Sequence, residues 1–277
     1  LAFFGMSAFY ISKEVLIEQA ESDNTRLVAS FASYLRLYQS QVEDMASDIA
    51  GNPAIGLALQ RADTSADNTF NRLEMRAQMG YLLNNYVRIK GLESIHIFSL
   101  GGERFQVGPT LDFSPVPITQ VKKLLAEAIA ANSPLLWRGM DANLNTNSAQ
   151  KKTISVVRAI LQFSPGTGKS EPVGVLVVQL NDEIMRNYVH EVRLAKGVQL
   201  MQLDPHGNIE LHSDPARFGQ TLTPALLALV RAQPAVQRLT LDGQDMLMNV
   251  SQETKHQHTI VTLTPRKGEK GWTRYDM

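Results

Sequence analysis

The stretch Ser12-Lys-Glu-Val-Leu-Ile-Glu-Gln-Ala-Glu-Ser-Asp-Asn24-Thr-Arg-Leu-Val-Ala-Ser-Phe31-Ala-Ser-Tyr34-Leu-Arg-Leu-Tyr38-Gln-Ser-Gln-Val42-Glu-Asp-Met45-Ala-Ser-Asp-Ile49-Ala50 decides the fold. Apolar or small residues fall at Leu16, Ala20, Leu27, Phe31, Tyr34, Tyr38, Val42, Met45 and Ile49, with only Asn24 breaking the row. Steps of three and four draw one stripe down a helix. No Pro or Gly interrupts it before Gly51-Asn52-Pro53, a helix stop. At 1.5 Å per residue the helix is ~57 Å long, beyond the ~30 Å of a small domain. It is therefore expected to run past more than one globular unit.

Working outward, the composition narrows the function classes. With 277 residues and 44% hydrophobic content the chain can bury a substantial core, and two domains are expected. Lys plus Arg (27) balance Asp plus Glu (27), so nothing electrostatic calls for nucleic acid or an anionic membrane surface. The absence of Cys excludes disulfides, thiolate metal sites and Cys nucleophiles. Before the helix, Leu1-Ala-Phe-Phe-Gly-Met-Ser-Ala-Phe-Tyr-Ile11 is apolar but too short for the ~20 residues that cross a bilayer. It reads as the outer end of a transmembrane helix, with a signal-peptide remnant or an ordinary buried helix start as the other readings.

After Pro53 the pattern predicts a helix over Ala54–Gln60 and another over Phe70–Lys90, whose Phe70, Leu73, Ala77, Tyr81 and Leu82 pack back along the first. Strands Ser94–Leu100 and Arg104–Val107 flank a Gly101-Gly102-Glu103 turn. A helix over Thr119–Ala131, capped by Thr119, follows a proline-rich segment. Asn132–Gln150 reads as irregular. Lys152–Phe163 and Pro172–Leu180 form an antiparallel pair that is apolar on both faces and so covered on both. After a helix over Asn181–Arg193 the order repeats: hairpin Val198–Leu203 and Asn208–His212, helix Ala225–Arg231, strands Gln244–Val250 and Thr259–Leu263. The expected fold is α+β, a long N-terminal helix beside two modules of similar plan with central antiparallel sheets.

Asp204-Pro-His-Gly-Asn-Ile-Glu-Leu-His212-Ser-Asp-Pro-Ala-Arg-Phe-Gly219 resembles the signature of Cache modules, which are PAS-like. Ile154–Ile160, the Gly-rich loop and Gly174–Asn181 resemble the paired strands of the membrane-distal module of double Cache sensors, and Gly271-Trp272-Thr resembles their closing strand. The resemblance implies residues 1–11 as the end of a transmembrane helix, 12–92 as the long and return helices, 93–193 as the membrane-distal module and 194–277 as the membrane-proximal one. It implies the ligand-sensing part of a bacterial receptor in the cell inner membrane, held periplasmic or extracellular by flanking transmembrane helices. Its output would be a histidine kinase, a diguanylate cyclase or a chemoreceptor, and its partner a small molecule. Amino-acid-binding members carry Arg-x-Trp-Tyr with a later Asp. Here Trp137-Arg138-Gly-Met-Asp141 reverses the first two and lacks the Tyr, which points to some other small ligand.

Other motifs fail their contextual tests. Gly166-Thr-Gly168-Lys169-Ser170 ends like a phosphate loop but leads into a strand, so it is a hairpin loop. His96, His190, His206, His212 and His256 lie in different elements, and His256-x-His258 has no third ligand nearby, so neither metal nor cofactor is expected. His212 is given a structural hydrogen bond. No nucleophile elbow, zinc-helix motif or paired carboxylates appear, so these residues are not expected to be an enzyme. A secreted or anchored hydrolase and a ligand-free structural ectodomain are the competing classes. A homodimer contact, if formed, is expected along the more polar Val15–Asn24 part of the helix.

For the ligand site the expected anchor is Arg158, mid-strand between Val157 and Ala159 in a sheet covered on both sides, where an unpaired guanidinium is expensive. Asp141 could pair with it internally. Alternatively it holds a ligand carboxylate, with Trp137 and Tyr86 as apolar walls and Arg138 and Asp141 at the rim.

Overall fold

The computed structural model describes residues 2–64, 69–131, 133–232 and 236–266. The Gly271-Trp272 reading lies outside the described residues. Helix α1 spans Ala2–Gly51, one uninterrupted element as its composition requires. Its buried stripe is Asn24, Val28, Phe31, Leu35, Tyr38, Val42, Met45, Ala46 and Ile49, while Leu27 and Tyr34 are half-buried beside it. The chain forms two compact units, Leu37–Ile184 and Leu1–Arg36 with Met185–Met277, and α1 contributes to both.

The first module, Leu37–Ile184, contains α2 (Pro53–Thr64), α3 (Thr69–Asn84), β1 (Leu92–Ser99), β2 (Arg104–Val107), α4 (Ile118–Ala130), β3 (Leu136–Ala142), β4 (Lys152–Ser164) and β5 (Lys169–Leu180). Its sheet has the order β2-β1-β5-β4-β3, antiparallel throughout. Strand alternation sorts the side chains. On one face Phe98, Val157, Val175 and Val177 pack with Val121, Leu124 and Ala128 of α4. On the other lie Ile95, Ile97, Ile154, Val156, Leu176 and Val178, all buried, and α2 packs on β1, β4 and β5. Gly174 lets that helix approach: a Cβ there would meet Phe98 O at 2.5 Å and Leu59 at 2.9 Å.

The second module begins within α5 (Glu183–Val192) and holds β6 (Gln199–Leu203), β7 (Ile209–His212), a 3-10 turn at Pro215–Arg217, α6 (Pro224–Ala232), β8 (Val236–Leu241), β9 (Gln244–Glu253) and β10 (His258–Pro265). Its order, β7-β6-β10-β9-β8, repeats that of the first. Met201, Leu203, Met248, Val261 and Leu263 pack on Leu226 and Val230 of α6. Tyr188 of α5 sits against Phe31 and Tyr34 of α1, with ring centroids 4.9 and 5.0 Å apart. The Asp204 turn is built as its residues demand: Oδ1 accepts from the N–H groups of His206 and Asn208, and Gly207 takes φ +88°. His212 Nδ1 accepts from the Asp214 N–H, the structural role expected of it.

Three expectations are corrected. Leu136–Ala142 and Val236–Leu241, read as irregular or passed over, are the edge strands β3 and β8. Helix α3 ends at Asn84 and buries Met75, Met79 and Leu83, leaving Phe70, Leu73 and Tyr81 exposed. It carries apolar residues on two faces at helical spacing, and packing selects the methionine face. The N-cap of α4 is Pro117, with no side-chain cap, so Thr119 has no such role.

Candidate functional site

In the first module the face of the sheet toward α4 is not apolar throughout. Beyond Phe98, Val175 and Val177 it carries Ser94, His96, Ser155 and Gln179, since Ser155 pairs with Gln179 and His96 with Val177. Over this polar half lies a cavity of about 240 Å³. Ser155 and Val177 form its floor, Gln120 and Leu124 of α4 one wall, and the segments around Asp112–Pro117 and Asp141–Thr146 the rest, with Arg104 and Arg138 facing in.

The two irregular segments are pinned by side chains rather than by ladders. Asp112, fully buried, accepts from Ser114 N–H at 2.8 Å, Thr146 N–H at 2.6 Å and Thr146 Oγ1 at 2.7 Å. Hydrogen bonds from Ser114 and Thr146 hold its carboxyl well below the usual carboxylate range. Asn145 Nδ2 donates to Thr110 O at 2.7 Å and to its Oγ1 at 2.9 Å.

Arg104 is half-buried on β2. Nη1 donates to Ser114 O at 3.0 Å; Nη2 donates to Leu144 O at 3.0 Å and His96 Nδ1 at 3.3 Å. Nε is enclosed without a partner. No carboxylate forms an ion pair with this guanidinium among the described residues; it donates to two carbonyls and an imidazole, and the Asp112 carboxylate acts on it through space. Burial and then Arg104 push the His96 pKa down to about 3, so the ring is neutral. Because Arg104 can only donate, Nδ1 must accept and Nε2 carries the proton. That proton goes to Ser94 Oγ at 2.8 Å, Ser94 donates to Gln179 Oε1, and Gln179 Nε2 donates to Ser155 Oγ at 3.3 Å and Ala142 O at 3.1 Å. The network begins and ends at atoms of residues that line the cavity.

Arg138 is compensated differently. Its guanidinium pairs with Glu127 of α4 at 2.9 Å and with Asp141. A bulge between Trp137 and Gly139, with φ +85° at Gly139, brings Arg138 and Asp141 into the lining and leaves Trp137 opposite Val156. Of the five residues singled out in the sequence, these two line the cavity. Arg158 pairs with Leu176 on the opposite face and donates to Ser47 Oγ of α1 at 2.9 Å. Tyr86, half-buried in the turn after α3, is not in the lining either. Arg104, Asp112 and the His96–Gln179 chain were not anticipated. The Pro-rich and Asn-rich segments that cover the cavity were the available signal.

Two antiparallel five-stranded sheets of identical order, a long leading helix and a walled cavity on one sheet can be compared with known structures. The sensor domain of the V. cholerae histidine kinase DctB superposes with a TM-score of 0.56 at 14% identity, over 88% of this chain and 99% of that one. The ligand-binding domain of the Pseudomonas fluorescens chemoreceptor CtaA in complex with L-serine gives 0.53 at 14%, over 87% and 92%. That of the Pseudomonas aeruginosa PAO1 amino acid chemoreceptor PctC in complex with GABA gives 0.50 at 14%, over 86% and 94%. The fold is that of double Cache sensor domains. At these identities the likeness is one of double Cache architecture. No family model matches the sequence, and no curated protein does.

Proposed function

We propose that this chain is the extracytoplasmic ligand-sensing region of a bacterial membrane signalling receptor, and that it binds a small carboxylate-bearing molecule in the cavity of the first, membrane-distal module. One observation carries the ligand class: Arg104 presents a fixed cation, hydrogen-bonded only to neutral acceptors and with Asp112 acting on it through space without an ion pair, to a cavity whose other guanidinium is already paired with two carboxylates. A partly buried guanidinium of this kind favours an anionic group in the space beside it. Asp141, also in the lining and partly exposed, offers an acceptor to an ammonium on the same molecule. The double Cache proteins solved with L-serine and GABA bind molecules of that kind.

In this reading the region performs no catalysis. Among the described residues no helix is long and apolar enough to cross a membrane. The membrane anchor lies, on this reading, in flanking transmembrane helices. Helix α1 carries the response, and the ligand shifts it only by binding one arrangement better than another. A homodimer would form through the first part of α1.

The test is a thermal-shift and calorimetric screen of amino acids, short mono- and dicarboxylates and simple amines against wild type and Arg104→Met. Carboxylates should stabilise wild type and lose at least tenfold in affinity in the variant. Stabilisation by amines alone, or equally in both proteins, would overturn the assignment.

A further inference from the structure

The second module buries its own polar cluster, on the sheet face away from α6. Glu210 of β7 is fully buried. Its Oε2 accepts from Gln202 Nε2 at 2.6 Å and lies 3.5 Å from His258 Nε2, while Gln202 Nε2 also lies 3.3 Å from His258 Nδ1. Glu210 Oε1 and Gln202 Oε1 are enclosed without partners. No lysine or arginine pairs with Glu210 among the described residues. Among the described residues, Asp204 in the β6–β7 turn acts on both members and Glu253 at the end of β9 on His258, and the His256 ring lies 5.8 Å from that of His258.

Register shows what this face meets. Gln202 is opposite Ile260, which lies between His258 and Thr262 on the same side of β10, and Thr262 is opposite Asn249. Asn249 Nδ2 donates to Thr25 Oγ1 of α1 at 3.2 Å. The cluster therefore shares a sheet face with a hydrogen-bonded contact to α1.

We propose that the Glu210–Gln202–His258 cluster gives the second module a sensory input of its own, the proton: losing the proton it holds as the medium turns alkaline loosens α1 from this sheet. Enclosure pushes the Glu210 pKa up to about 8, while burial takes that of His258 down to about 4, so near neutrality the pair carries one proton, on the carboxyl. In the acid form the carboxyl O–H donates to the Gln202 carbonyl, which also accepts from His258 Nδ1–H. In the ionised form the amide is turned as the structure shows it, with Nε2 donating to Oε2, and the imidazole proton lies on Nε2 facing the same oxygen. The proton released goes to water. An ionised carboxylate without a lysine or arginine beside it is costly to keep dry, so the alkaline form draws water to the sheet face that carries the Asn249–Thr25 contact with α1.

The experiment is a titration of the whole chain, labelled with ¹³C at glutamate Cδ, from pH 5 to 10 without added ligand. One carboxyl should titrate near pH 8, vanish in Glu210→Gln, and coincide with a step in amide exchange around Thr25 beyond the intrinsic tenfold rise per pH unit. Glu210→Gln should show no step. If every glutamate titrates between about 4 and 5, or if the α1 step is equal in both proteins, the inference is wrong. Should Glu210→Gln not fold, the wild-type titration alone decides, since it needs no variant. Because no carboxylate ligand is present, failure here leaves the distal-cavity reading untouched, and the converse holds.

Discussion

The two modules share one sheet order and bury charge in opposite ways. The first hydrogen-bonds a cation, Arg104, to carbonyls and a neutral imidazole beside a cavity. The second encloses an acid, Glu210, beside an amide and a histidine. What differs is access. Arg104 has open space in which a counterion can arrive as ligand, whereas Glu210 has none and relieves its charge by keeping a proton. A repeated scaffold can thus carry two kinds of chemical sensitivity without altering its strand order.

The bluntest way to probe the comparison is through the cores. Phe98→Ala in the first module and Met248→Ala in the second each remove a side chain with no exposure. Each should cost about 3–5 and 2–5 kcal/mol respectively. Denaturant melts with exchange read separately in β1–β5 and β6–β10 would show it, and a loss under 1 kcal/mol at either site would contradict the burial.

Acidification separates the modules more finely. His96 has a folded pKa of about 3 against 6.5 unfolded, so its contribution to stability is present above 6.5 and lost as pH falls toward 3. In the second module, His258 loses stability as pH falls from 6.5 toward about 4, whereas Glu210 loses it as pH rises from 4.5 toward about 8. Between 4.5 and 6.5 these slopes cancel. Exchange protection should therefore weaken in β1 between pH 6.5 and 4.5 while β6 and β7 hold steady; parallel losses would show that the pair does not share a proton.

The smallest effects should come from residues the sequence made prominent. Arg158→Ala removes one exposed hydrogen bond to Ser47, and Thr119→Ala removes no cap. Both should stay within about 1 kcal/mol of wild type and leave carboxylate affinity unchanged. A tenfold affinity loss in Arg158→Ala would return that residue to the site.

The long helix, both hairpins and the central strands were legible because their burial is periodic: a stripe on α1, apolar runs on β4 and β5. Strands β3 and β8 were not, because edge positions are only half-buried and alternate weakly. Arg138 and Asp141 were recoverable from an irregular segment over an apolar sheet. Arg158 and Arg104 look alike in sequence, each an arginine among strand residues. Only parity within the sheet, set by pairings far along the chain, sends one toward α1 and the other toward the cavity.

The relay from Arg104 through His96 and Ser94 to Gln179 points one way, each member donating to the next. Such a chain restricts how the site can be inherited or re-engineered. Exchanging Arg104 for an acidic residue would set an acceptor against an acceptor at His96 Nδ1. Restoring the match means moving the imidazole proton, which deprives Ser94 and turns the Gln179 amide away from Ser155 and Ala142. A switch from anionic to cationic ligands would then require concerted change at several buried positions, whereas enlarging or trimming the Val116 and Leu124 wall needs only one. Descendants of this module should therefore vary more readily in the size of what they bind than in the sign of its charge.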